Sequence, residues 1–403
     1  MLTSILLLLL ISVGTLNGKD AEQTLDAIEL ISYFGYPAEK HYVTTDDGYT
    51  SEVHRIPYGR DNRLIDGCTQ RPVVFLMHGL FGTSFEYLMN LPSQSIAFIF
   101  ADAGFDVWLG NVRGTEYGLN HTKFHPTEAG FWNFSFYEYS HYDLRQQIEY
   151  ALDYTGEKSL FYVGHSQGTT LMFARLAEAS ATWQKKIRIF FAMGPTAGFL
   201  KPLMPLALLE NGLLQKLIQL VFDGKFGIIP VNVPKFLTSM LAELCSSAFM
   251  SPICTVKLTS HSGFERLGQF NNSRLPVYLS HFPSATSTLN LLHWMQVFKY
   301  HELRRLDLGR ERNLIAYGQP DAPKLDIGNI VAQTILYFSK DDLITDEVDV
   351  KEIIKKQMGP GLIESYDLDH FTHLDYAIGL RAVDEVYKPI VYRIYEEVRQ
   401  KGC

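Results

Sequence analysis

The chain lacks a long apolar run beyond its first residues, an excess of basic residues, and any dense cysteine pattern. Each shortage closes off a class of function. Only four cysteines occur, Cys68, Cys245, Cys254 and Cys403, and no two form a C-x-x-C pair. A zinc ribbon or a thioredoxin-type site therefore has no ligands to build from. The net charge of -8 leaves no basic face for a phosphate backbone, which excludes nucleic acid as a partner. His121 and His125 stand four apart, but in a loop-like segment without the glutamate of H-E-x-x-H, so no metal is expected. Gly110 and Gly114 in "GNVRGTEYG" are spaced wrongly for a dinucleotide fingerprint, and no cofactor is expected either. No internal repeat or low-complexity linker is visible.

The one strongly apolar block, Ile5 to Val13, is too short for the ~20 residues a membrane-spanning helix needs. Small residues follow at Gly14 and Gly18, and the chain turns polar at Lys19. Residues 1–18 read as a secretory signal peptide, although no Lys or Arg precedes the block. The expected destination is extracellular or lysosomal, with no transmembrane segment in the mature chain. In such an oxidising compartment Cys245 and Cys254, which bracket a short loop, can be bridged. Asn120 and Asn271 are candidate glycosylation acceptors. A third sequon, at Asn133, lies in "FWNFSF", an aromatic cluster expected to be partly buried and so a poor acceptor.

What is present is a regular alternation. Asp47-Gly48 separates two β-rich runs, the signature of a tight hairpin. "PVVFLMHG", "FDVWLGN", "LFYVG" and "KIRIFFAMGP" are continuous apolar runs, as in strands covered on both faces. Between them "AFIFADAG", "YDLRQQIEYALDYTG" and the run through Leu171, Phe173, Leu176 and Ala177 have helical spacing. Strand and helix in turn predict an α/β fold with a mostly parallel sheet. From about Ala197 the alternation stops. "LMPLALLENGLLQKLIQLVF", "PKFLTSMLAELCSSAFMSPIC" and "STLNLLHWMQVFKYHEL" are helical without an intervening strand, and they read as an inserted cap. The pattern resumes at "AQTILYFSKDD" and ends in a helix near Ile390–Gln400. The expected division is 19–196 for the first part of the core, 197–330 for the helical cap and lid, and 331–403 for the second part.

Within that frame Gly164-His165-Ser166-Gln167-Gly168 falls between a strand and a helix, the setting in which G-x-S-x-G presents a nucleophile. A serine hydroxyl needs a base, and the expected chain order is serine, acid, histidine. Asp341 and Asp342 follow the strand "TILYF", and His370 and His373 come some thirty residues later. Position alone does not separate the members of either pair. The oxyanion of an acyl-transfer intermediate needs two backbone donors. Gln167, next to the serine, supplies one; the loop "HGLFG" after an earlier strand supplies the other at Leu80. His78 precedes the serine and is set aside as the base on that order.

Taken together, "HGLFGTS", "GNVRGTEYG", "FWNFSFYEYSHYDL", "VGHSQGTT", "NNSRLPVYLSH", "DDLITDEVDV" and "HLDY" resemble the acid lipase family, which includes gastric and lysosomal acid lipases. The likeness runs from about Asp26, through "ELISYFGYPAEKHYVTTDDGY", to about Tyr392. It implies an α/β-hydrolase core with a helical cap and lid. It also implies hydrolysis of acylglycerols or sterol esters at an emulsion or membrane surface. By motif match it assigns Ser166 as nucleophile, Asp342 as acid and His373 as base, with the Leu80 and Gln167 amides as oxyanion donors. It further implies a Cys245–Cys254 bridge beside the lid. "SKDD" departs from the family's more glycine-rich turn before the acid, and the Asn133 sequon departs within "FWNFSF"; neither removes a catalytic group. Two rivals are an esterase for small soluble esters and a catalytically silent lipid-binding scaffold, which would be expected to lose a triad residue.

Overall fold

The computed structural model describes residues 21–200, 220, 229–247, 249–259, 262–263 and 268–403. The expected signal peptide, and the cap run at 203–222 apart from Leu220, lie outside the described residues. The chain begins with helix α1 (Ala27–Tyr33), whose Asp26 cap accepts from the Glu29 amide while the Glu29 carboxylate reaches back to the Asp26 N–H. Strands β1 (Glu39–Thr44) and β2 (Tyr49–Ile56) form the antiparallel hairpin around Asp47-Gly48. Gly48 sits at φ +102, a conformation that favours glycine.

Strand β3 (Val73–Met77), α2 (Ile96–Asp102), β4 (Asp106–Gly110), the two-residue β5 (Asn120–His121), α3 (Arg145–Thr155), β6 (Leu160–His165), α4 (Gln167–Glu178) and β7 (Ile187–Met193) follow. Next come β8 (Pro230–Val231), α5 (Lys235–Cys245), α6 (Ser251–Thr259), α7 (Leu275–His281), β9 (Thr286–Ser287), α8 (Thr288–Tyr300) and α9 (Arg310–Tyr317). The chain then returns through β10 (Thr334–Phe338) and β11 (Leu362–Asp367) and closes with α10 (Lys388–Lys401). The main sheet has nine strands in the order β1-β2-β4-β3-β6-β7-β10-β11, with β5 added against β2. From β4 to β11 every pairing is parallel; the β1–β2, β2–β4 and β2–β5 pairings are antiparallel.

The apolar runs explain themselves in this sheet. Side chains alternate across a strand, so Val74 and Leu76 of β3 enter one core while Val73, Phe75 and Met77 enter the core on the opposite face. All five are buried. Among the described residues, no strand between β7 and β10 joins the main sheet; β8 and β9 pair only with each other. Two disulfides are present. Cys245–Cys254 ties the end of α5 to α6. Cys68–Cys403, a pairing not assigned from the sequence, fastens the C-terminus to the loop before β3. No described helix is long and apolar enough to cross a membrane.

The expectation for Asn133 is corrected. Its neighbours Phe131, Trp132 and Phe134 are buried as anticipated, but Asn133 itself is exposed, because the short helical turn that ends at Trp132 aims the rings inward and leaves the asparagine outside. Asn120 is exposed on the edge strand β5; Asn271 is half-buried, with its amide donating to Gln94 Oε1 at 3.0 Å.

Candidate active site

Parallel strands deliver their carboxyl ends to one rim of the sheet, and β3, β6, β7 and β10 bring four loops together there. Ser166 is the turn between β6 and α4. Its backbone lies at φ 52, ψ -121, a strained conformation for a residue with a side chain. The turn is tied down by the Ser166 N–H donating to Met193 O at 3.0 Å, and by Ser166 O accepting from the Thr169 N–H and hydroxyl. Packing then demands small neighbours: a Cβ on Gly164 would meet the Gly168 backbone at 2.8 Å, and one on Gly168 would meet Met77 O at 2.1 Å.

Of the two carboxylates and two histidines left open by position, the geometry separates the pairs. His373 Nε2 is 2.6 Å from Ser166 Oγ, and its Nδ1 is 2.8 Å from Asp342 Oδ2. Asp342 is fully buried and accepts three further hydrogen bonds, from the Ile344 and Thr345 amides and the Thr345 hydroxyl, each at 2.8 Å. That set orients the carboxylate toward the imidazole. Asp341 and His370 instead pair with one another at 2.8 Å, outside the line to the serine. His78 is also apart from it: Nδ1 lies 2.8 Å from Gly79 O, and Nε2 accepts from the Val112 amide. Burial pushes its pKa down.

The Gln167 amide opens α4, so it has no acceptor within the helix. The Leu80 amide has no hydrogen-bond acceptor among the described residues. Leu80 and Ser166 line the same cavity, and a Cβ on Gly79 would come within 3.2 Å of Ser166 Cβ. Leu80 and Gln167 therefore both lie beside the serine at the rim.

Three further features shape the site. The Gln167 side chain accepts from Asn290 Nδ2 at 3.0 Å and Trp294 Nε1 at 2.8 Å, so α8 grips the residue after the serine. Glu86 and His165 form a buried pair directly behind Ser166, with Nδ1 and Oε1 2.7 Å apart. The third is the chamber over the rim, a cavity of about 650 Å³ whose walls include Leu80, Phe199, Val233, Phe282, Trp294 and Phe298. It opens toward a second apolar space beside α5 and α6, with Val233, Phe282, Pro283, Ile344 and Leu374 shared between them. The first two were not read from the sequence, and no local pattern there signals them. Among the described residues no group of three or more candidate metal ligands is found; His121 contacts Asp47 O, and His125 contacts the Thr127 hydroxyl.

Comparison with known proteins gives a consistent picture. A family model described as alpha/beta hydrolase fold matches residues 72–376, and one described as a partial alpha/beta-hydrolase lipase region matches residues 27–91. The chain is similar to lipase lipl-1 of Caenorhabditis elegans, at 36% identity over 98% of both chains. It is also similar to gastric triacylglycerol lipase of Bos taurus, at 38% identity over 94% of this chain and 93% of that one. The human protein of that name is 38% identical over 95% of this chain and 94% of its own. Among solved structures, a putative lipase from Sulfolobus solfataricus shares the fold, with a TM-score of 0.54 at 14% identity over 89% of this chain and 99% of that one.

Proposed function

The chain belongs to the acid lipase family of the α/β hydrolases and is a carboxylic ester hydrolase, and from that premise we propose that it is a secreted serine lipase cleaving acylglycerols or sterol esters through an acyl-enzyme on Ser166. The observation that carries this reading is the contact of His373 Nε2 with Ser166 Oγ at 2.6 Å, backed by Asp342 on the other ring nitrogen. His373 takes the serine proton as Oγ attacks the ester carbonyl, and Asp342 holds the tautomer and stabilises the imidazolium that forms. The oxyanion settles against the Leu80 and Gln167 amides, each worth about 2.7–4 kcal/mol in comparable sites. His373 then protonates the leaving alcohol, and in the second half-reaction it activates the water that releases the fatty acid.

Substrate class follows from the walls. An aromatic and aliphatic chamber of about 650 Å³ lies within the range of ligand pockets, roughly 300–1,000 Å³, and suits a long acyl chain better than a small polar ester. Residues 197–330 act as the cap, since α8 supplies Trp294 and Phe298 to the chamber and the segments flanking α5 and α7 supply Val233 and Phe282. Phe236, Met240, Phe249, Ile253 and Val256, on or between α5 and α6, are each more than half exposed, an apolar face fitted to a lipid surface. The expected signal peptide at 1–18, the two disulfides and the exposed sequon at Asn120 support an extracellular or lysosomal destination.

The test is hydrolysis of a chain-length series of 4-nitrophenyl esters and an emulsified triacylglycerol by the parent and by Ser166→Ala. Loss on the order of 10⁶ in kcat in the variant, with parent activity rising toward long chains, is expected. A parent that binds lipid and hydrolyses nothing at acid and neutral pH would refute the reading.

A further inference from the structure

The buried Glu86–His165 pair meets three segments of the site: the Gly79 loop, the turn that leads into Ser166, and the His373 loop. Glu86 Oε1 meets His165 Nδ1 at 2.7 Å, and Glu86 Oε2 accepts from the Gly79 N–H at 3.0 Å, in the loop that carries the Leu80 amide. His165 immediately precedes the serine, and its Nε2 lies 2.8 Å from the backbone carbonyl of His373. Glu86 is 7% exposed and His165 3% exposed, and their partners are the protein groups just named.

The hydrogen count fixes one proton, and the charges in contact fix the other. A backbone carbonyl never donates, so His165 Nε2 must carry a hydrogen. Glu86 Oε2 accepts the Gly79 N–H, and with carboxylate and imidazole in direct contact the hydrogen between Oε1 and Nδ1 sits on the imidazole. With both nitrogens donating, His165 is an imidazolium facing a carboxylate; a neutral ring keeps both contacts only if Glu86 itself carries the proton on Oε1.

We propose that Glu86 and His165 form a positioning ion pair that fastens the oxyanion loop, the nucleophile turn and the His373 loop into one hydrogen-bonded unit, and that this unit is built to persist in acid. The idea rests on the reading of Ser166 as nucleophile and concerns what holds that site in register. A neutral histidine at this place would gain a proton on acidification and lose a contact; His165 already has it. Electrostatics run the same way. Burial opposes charge on His165, but the Glu86 carboxylate outweighs it and the pKa is raised. Burial likewise opposes charge on Glu86, but His165 and the Gly79 amide outweigh it and the pKa is lowered. The other ionisable groups facing the pair are His78 at the end of β3, Tyr87 beside Glu86, Asp342 after β10, His373 and Tyr376 on the loop beyond β11, and Tyr387 before α10. The three tyrosines are held neutral by burial, and burial favours the neutral form of His78.

Glu86→Gln isolates the charge, because the amide preserves shape. Its Oε1 still accepts from Gly79, and its NH₂ then donates to the Nδ1 of a neutral His165, so every contact survives until that ring gains a proton. Below that point an N–H meets an NH₂, and one link must break.

Two measurements decide the matter. In the uniformly ¹⁵N-histidine-labelled parent protein, one histidine is expected to keep both ring nitrogens protonated at pH values where an ordinary histidine, at ~6.5, has lost its proton. A parent in which every histidine has lost that signature by about pH 7 overturns the proposal, whether or not any variant folds. With a water-soluble 4-nitrophenyl ester, the ratio of variant to parent kcat is expected to fall by about tenfold per pH unit on the acid side, with KM unchanged. A ratio that stays level from about pH 4 to 8 overturns it too. Ser166→Ala tested beside them keeps the two readings apart: turnover retained there refutes the nucleophile, while the ¹⁵N signature reports on the ion pair alone.

Discussion

Replacing Gly168 with alanine puts the nucleophile turn to a steric test. The new Cβ would lie 2.1 Å from Met77 O and 2.9 Å from His78 O, both backbone atoms at the end of β3. Ordinary contact begins near 3.5 Å, so α4 and β3 must separate by about 1 Å. β3 is locked between β4 and β6 in the middle of the sheet, which leaves the start of α4 to give way. Since Ser166 and Gln167 immediately precede Gly168, the displacement moves Oγ and the Gln167 amide, proposed above as an oxyanion donor, against a fixed Leu80. A misplacement of about 1 Å costs roughly 10²-fold in rate, and overpacking of this kind about 1–3 kcal/mol in stability. Gly156→Ala is the control. It lies at φ +75 with no neighbour within 4 Å, so alanine there is strained by about 1–2 kcal/mol and remote from the site. Thermal unfolding and kcat on a soluble ester should show both variants destabilised and only Gly168→Ala slowed. Gly168→Ala with parental kcat would show that the close approach of the turn to β3 does not set the geometry.

Asp342→Asn preserves shape but offers His373 Nδ1 an amide in place of a carboxylate, and kcat on the same ester should fall by about 10⁴ with little change in KM; a loss below tenfold would remove Asp342 from its role. Arg113 is buried between Asp143 and Asp47, so Arg113→Met strands the fully buried Asp143 and should cost about 3–5 kcal/mol in denaturant unfolding at neutral pH. Burial already raises the Asp143 pKa against the pull of Arg113, and losing that pull raises it further. The folded variant thus binds a proton more readily than its unfolded chain, so its deficit should shrink as pH falls from neutrality toward the ordinary carboxyl range, and a deficit independent of pH would contradict this.

What was legible in the sequence, and what was not, follows the range of the interactions. The Ser166 turn is local: an apolar strand, two glycines and a helix within a dozen residues, each needed by its immediate neighbours. The choice between Asp341 and Asp342, or His370 and His373, is not local. Each aspartate finds one of the histidines at the same 2.8 Å, and the difference lies in what the carboxylate meets besides. Asp342 folds back onto the Thr345 hydroxyl and two amides, and the His373 N–H is caught by Ser262 O from the segment after α6, contacts that a list of residue types does not carry. The Cys68–Cys403 bridge, across a separation of 335 residues, leaves no local trace at all. Asn133 failed for a subtler reason, since burial of a segment does not settle the direction of each side chain within it. Glu86 is the most instructive omission. Seventy-nine residues from His165, it sits in an unremarkable short turn, Ser84–Tyr87, and gains its meaning only when the sheet sets β3 against β6. A sequence motif records the residues that react, because their neighbours in the chain must suit them. The groups that hold those residues in register arrive from other strands, and the sheet order that brings them together is what a single sequence encodes least directly.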